Sequence, residues 1–149
     1  MTTEGRPIGR EVLGRMDDGW ARFFTRASGI PVERLGDRLG EGAWTRKQML
    51  GHITTWHELT IERLNRFVAS GEPSALDEHE DTINARAARA AEGRTAGEVV
   101  QATDDSYRRL RRAVAGLTDD QLGAHDGWAA AMIAGNTYGH YAEHLPDLG

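Results

Sequence analysis

The chain of 149 residues contains no cysteine, so disulfide frameworks, thiolate metal sites and a cysteine nucleophile are all excluded. Histidine and carboxylate remain as the strong metal ligands, and thiol chemistry would need a cosubstrate. Lysine is almost absent: Lys47 is the single one, and the other basic residues are arginines. The formal charge of −5, with signs interspersed, offers no basic stripe to follow a phosphate backbone, so no nucleic-acid partner is expected. No apolar run approaches membrane-spanning length, and the first residues lack the apolar core of a signal peptide. A cytoplasmic protein without a membrane partner is the expectation. There is no glycine-rich phosphate loop and no serine in a nucleophile-elbow pattern. Alternating strand patterns are scarce as well, which leaves an all-α chain of a length suited to a single domain, 1–149.

What is present is helical periodicity. Residues 8–28 carry Val12, Leu13, Met16, Trp20, Phe23 and Phe24 on one stripe. Residues 29–43 read as a connection, punctuated by Pro31, Gly36, Gly40 and Gly42. Thr45 to Gln48 form a capping box that opens a second helix over residues 45–70, stopped by Gly71 and Pro73. After a loop at 72–77, an alanine-rich helix is expected over 78–92. A second box, Thr95 with Glu98, opens a helix bearing Val99, Val100, Thr103, Tyr107, Leu110, Val114 and Leu117. Thr118 with Gln121 repeats the signature for a short helical turn. The last helix is expected over 128–145, where Pro146 forbids continuation. Four long amphipathic helices joined by short or medium connections predict a four-helix bundle.

Three histidines carry the chemistry. His140 and His144 are four residues apart and project from neighbouring turns of one face, a spacing that suits chelation of one metal ion. A wheel of the second helix puts His52 at the shoulder of the apolar face, with Trp56, Met49, Phe67, Thr60, Ile53 and Leu64 in the next 120° or so and Leu50, Val68 and Ile61 continuing the arc. Lys47, Thr54, Glu58, Glu62, Asn65 and Arg66 fall on the side expected to meet solvent. A lone histidine on an apolar face is usually a hydrogen-bonded core residue. Three converging imidazoles are harder to satisfy without an ion, and three nitrogen ligands with open positions suit catalysis rather than structure. His57 lies about 140° from His52 and cannot share its ion, though it is a candidate base or core residue. Glu58 is a second candidate base, disfavoured by its outer face. Asn136, Thr137, Tyr141 and Glu143 can orient the imidazoles, a water or the substrate, and Trp56 and Trp128 can wall a pocket. His79, among acidic residues at a helix start, and His125, in a loop, are expected to take no part.

The run Trp44-Thr-Arg-Lys-Gln-Met-Leu-Gly-His-Ile-Thr-Thr-Trp-His-Glu-Leu59, with Gly135-Asn-Thr-Tyr-Gly-His-Tyr-Ala-Glu-His144 and the Asp81-Thr-Ile-Asn84 segment, resembles the DinB/YfiT-like superfamily of four-helix bundles, and within it the ClbS/DfsB family. The resemblance spans nearly the whole chain. It implies a divalent ion, zinc or nickel, held by His52, His140 and His144, and, in some members, a low-molecular-weight thiol cosubstrate. The ClbS branch implies another chemistry, hydrolysis of a DNA-alkylating electrophile without the histidine triad, and this chain carries Trp56, Glu58, Leu59, Asn136, Thr137 and Tyr141 in places like that branch. The function expected is therefore detoxification or self-resistance: a metal-dependent hydrolase or thiol-dependent transferase acting on a reactive small molecule. A metal-free hydrolase and a noncatalytic sequestering protein are the alternatives. The resemblance also implies a homodimer.

Overall fold

The computed structural model describes residues 8–39 and 44–148; the expectations for the N-terminal residues and for Gly40 and Gly42 lie outside the described residues. Six α-helices follow one another: α1 (Ile8–Ser28), α2 (Arg46–Ser70), α3 (Glu80–Glu92), α4 (Ala96–Ala115), α5 (Asp119–Asn136) and α6 (Tyr138–His144). A short 3-10 turn, Val32–Arg34, interrupts the connection before α2, and another, Leu145–Leu148, follows α6. The fold is all-α; the described residues contain one isolated β-bridge, Arg38 to Thr45, and no strand. No helix among them is long and apolar enough to cross a membrane.

Each of the three capping boxes forms. Thr45, Thr95 and Thr118 accept the backbone N–H of Gln48, Glu98 and Gln121, whose side chains accept the cap N–H in return. Two of the four orphan donors at each helix start are satisfied in this way, which fixes where the helices begin. Gly71, at φ 77°, ends α2 in the left-handed conformation that glycine adopts without steric cost.

Helix α2 is the centre of the molecule, with α4, α3 and α5 packed around it, while α1 packs on α4, α5 and α6. Met16, Phe23, Leu50, Ile53, Leu110, Leu122 and Ile133 are fully buried between them. Asp17 fastens α1 to α4: Arg111 donates to both its oxygens at 2.8 and 2.9 Å, and the Tyr107 hydroxyl donates at 2.7 Å. The Arg111 hydrogen bond holds the Asp17 carboxyl below the usual range.

Several expected boundaries and faces change. The short helical turn opened by Thr118 and the loop expected around His125 both form: Ala124, His125, Asp126 and Gly127 are not helical, although α5 as a whole spans them from Asp119 to Asn136. The helix expected over 128–145 is divided at Thr137, whose φ of −122° and ψ of −104° are not helical. Thr54, expected in solvent, is buried, its hydroxyl oxygen 2.9 Å from that of Thr103. A wheel registers only apolarity, whereas α4 covers this face with a matching threonine. Val68, expected on the apolar arc, is 54% exposed because it lies in the last turn of α2.

Candidate metal centre

Helix α2 presents His52 from its buried shoulder, and α6 presents His140 and His144 from successive turns of one face. The three rings form a nearly equilateral triangle, with centroid separations of 4.7 Å (His52 to His140), 5.2 Å (His52 to His144) and 4.8 Å (His140 to His144). One nitrogen from each lies within 4.8 Å of the others. Nε2 of His52 and Nε2 of His140 are 2.8 Å apart.

Burial removes water from this group, and the neighbouring rings add mutual repulsion. Desolvation, followed by the charge of His144, pulls His52 down to about 4. Desolvation, followed by His52 and His144, pulls His140 down to about 3. Both rings are therefore neutral near pH 7, the form in which imidazole offers a lone pair to a metal. Nδ1 of His52 and Nδ1 of His140 are buried with no hydrogen-bond partner among the described residues. Three converging imidazoles, two of them neutral and incompletely satisfied, fit a divalent ion of borderline softness, and the cluster can hold one.

The triangle opens on a cleft of about 380 Å³. Trp44 and Trp56 stand on one side of His52, the Trp44 ring 4.9 Å from it. The Trp56 indole N–H donates to Asn84 Oδ1 at 2.8 Å, which ties α2 to α3 at the rim. Asn136, Glu143 and Glu80 complete the opening. Its charged lining is acidic, and its walls are aromatic.

Of the residues singled out from the sequence, the fold brings together His52, His140, His144, Trp56, Asn136 and Glu143. Five others lie elsewhere. His57 is fully buried, Nδ1 2.7 Å from Ser106 Oγ and Nε2 2.6 Å from the Tyr141 hydroxyl. Tyr141 is 1% exposed and packs against Trp20 and Phe23. Neither lines the cleft. Thr137 is buried, with its hydroxyl donating to the Ile133 carbonyl at 2.6 Å. Glu58 is exposed on the far side of α2, paired with Arg109 at 3.0 Å. Trp128, proposed as a wall, packs instead on Phe67 and under Arg63. His79 caps α3 by accepting the Asp81 N–H at 3.1 Å, and His125 reaches the Gly71 carbonyl at 2.8 Å.

Sequence reasoning missed Asn84 and Glu80 as parts of the opening. A signal was there: the two are four residues apart, so they share a face of α3, and asparagine within an otherwise alanine-rich helix runs against propensity.

Comparison with curated proteins and with solved structures finds no match. The sequence profile described as the DinB superfamily matches residues 15–146, a span that includes all three histidines, and the chain belongs to the DinB superfamily.

Proposed function

We propose that this protein is a metal-dependent enzyme of the DinB type that acts on a reactive electrophilic small molecule, as a hydrolase or as a thiol-dependent transferase, in detoxification or self-resistance. The observation that carries this reading is the triangle formed by His52, His140 and His144 at the floor of an open cleft. His52, His140 and His144 would hold the ion through one nitrogen each. Zinc and nickel both suit three imidazoles. A bound divalent ion supplies Lewis acidity, which polarises an electrophile and favours deprotonation of a nucleophile at neutral pH. The chain's own residues do the rest. Trp44 and Trp56 offer apolar faces to the substrate and exclude water from one side, Asn84 and Asn136 offer amide groups to orient it, and Glu80 and Glu143 are placed to take up a proton at the rim. The four-helix bundle of the superfamily corresponds to α1, α2, α4 and the α5–α6 pair.

A second reading, a metal-free hydrolase of the ClbS/DfsB type, is favoured by the 2.8 Å contact between His52 and His140, through which the two rings satisfy each other in part. Elemental analysis separates the two. Native protein should contain a stoichiometric transition metal, and His144→Ala should lose at least about tenfold in affinity for it. Metal content near zero, with turnover of an electrophile that survives chelators, would establish the second reading instead.

A further inference from the structure

Of the three histidines, His144 is the one whose Nδ1 meets a side chain among the described residues. Asp147 Oδ2 lies 3.1 Å from it, while the Nδ1 atoms of His52 and His140 have no partner. The asymmetry has chemical content. A carboxylate accepts but does not donate, so the ring proton must sit on Nδ1, and the lone pair is left on Nε2. His52 and His140 are held by burial, at 6% and 9% exposure, His52 with the Asn84 side chain beside it, whereas His144 sits on the last turn of a short helix with 16% of its side chain exposed. Without an acceptor its ring is free to turn and to exchange tautomers.

The position of Asp147 is built, not incidental. Leu148 is buried at 3% exposure, and its carbonyl accepts from Nε of Arg46 at 3.4 Å, so the 3-10 turn after α6 is pinned to the start of α2. That turn returns the chain so that residue 147 sits beside residue 144.

We propose that Asp147 is a positioning residue: it holds His144 in the Nδ1–H tautomer with Nε2 turned toward His52 and His140, and thereby sets how tightly the triangle holds its ion. The inference rests on the metal reading above, so its test begins without metal. Histidine-labelled, metal-free, full-length protein is compared by long-range proton–nitrogen NMR as wild type, Asp147→Ala and Asp147→Asn. Wild type should show His144 as Nδ1–H. Asp147→Asn should keep this form, because an amide oxygen still accepts, and Asp147→Ala should lose it to a mixture. Zinc affinity, measured by competition with a chromophoric chelator, should then fall about 10- to 100-fold in Asp147→Ala and about threefold or less in Asp147→Asn. An unchanged His144 tautomer in Asp147→Ala overturns the proposal, as does zinc affinity in that variant within twofold of wild type. A wild type that takes up no zinc overturns the metal reading and the affinity half of this inference, while the tautomer spectra still decide the positioning half.

Discussion

The Tyr141 hydroxyl lies 2.6 Å from Nε2 of His57, in a core that neither side chain leaves. Ser106 Oγ donates to the Thr103 carbonyl at 2.9 Å, so it receives from His57 Nδ1–H at 2.7 Å, and His57 Nε2 in turn accepts from Tyr141. The chain of donors runs from α6 through α2 to α4 and uses up the ring. Tyr141→Phe keeps the shape but leaves a buried nitrogen without a donor. A loss of about 1–3 kcal/mol is expected, read from urea unfolding. A loss under about 0.5 kcal/mol would mean that the bond contributes nothing net to the fold.

The same ring belongs to a group that makes stability depend on pH. Desolvation, followed by the charges of His140 and Arg109, pulls His57 down to about 3, and His52 and His140 are lowered to about 4 and about 3 from an ordinary value of 6.5. In the unfolded chain these rings take up protons near their ordinary value, so below it the unfolded state binds more protons than the folded one. Stability of the metal-free protein should therefore fall as pH drops below about 6.5, by up to about 1.4 kcal/mol per pH unit for each ring, and should be flat just above that value. Measuring between about pH 5 and 7.5 isolates the histidines, since carboxylates there are ionised in both states. A level profile across this window would mean that the rings take up protons as readily in the folded protein as in the unfolded chain.

Much of this arrangement was legible from spacing. The capping boxes at Thr45, Thr95 and Thr118 fix helix starts through local hydrogen bonds, and local rules suffice for them. His140 and His144 share a face because four residues make a little more than one turn, even though the helix holding them is short. What resisted reading depends on partners. Thr54 is buried because Thr103 arrives from α4, and Asn84 lines the cleft because Trp56 donates to it from α2. His57 and Tyr141 carry the polar atoms that suggest catalysis, and only the packed core reveals that those atoms are spent on each other.

The interruption in α5 concentrates backbone strain. His125 and Asp126 have φ of 53° and 58°, in the left-handed region, followed by Gly127 at 78°. His125 is compensated by its bond to the Gly71 carbonyl, which joins the loop to the end of α2. Asp126 has no such role among the described contacts. Asp126→Gly should therefore stabilise the protein by about 0.5–1 kcal/mol, whereas His125→Gly should not, because it removes the link to Gly71. Thermal unfolding of the two variants side by side checks the contrast, and equal shifts would refute it.

Two glycines within helices test how packing reaches the cleft. A Cβ at Gly51 would stand 2.7 Å from the Ala91 Cβ, so α2 and α3 touch there only because a side chain is missing. Gly51→Ala must push α3 outward, at a cost of about 1–3 kcal/mol. Since α3 also carries Asn84, whose Oδ1 accepts from Trp56, the same shift should loosen the rim of the cleft. Gly14, in the middle of α1, has nothing within 4 Å of the corresponding position, so Gly14→Ala should gain about 0.5–1 kcal/mol from helix propensity alone. Urea unfolding gives the opposed signs, and Trp56 fluorescence follows the rim: it should change in Gly51→Ala and stay as it is in Gly14→Ala, once the other tryptophans are replaced by phenylalanine. If Gly51→Ala were as stable as the parent and left Trp56 unmoved, the close approach of α2 and α3 would not be what holds that wall in place.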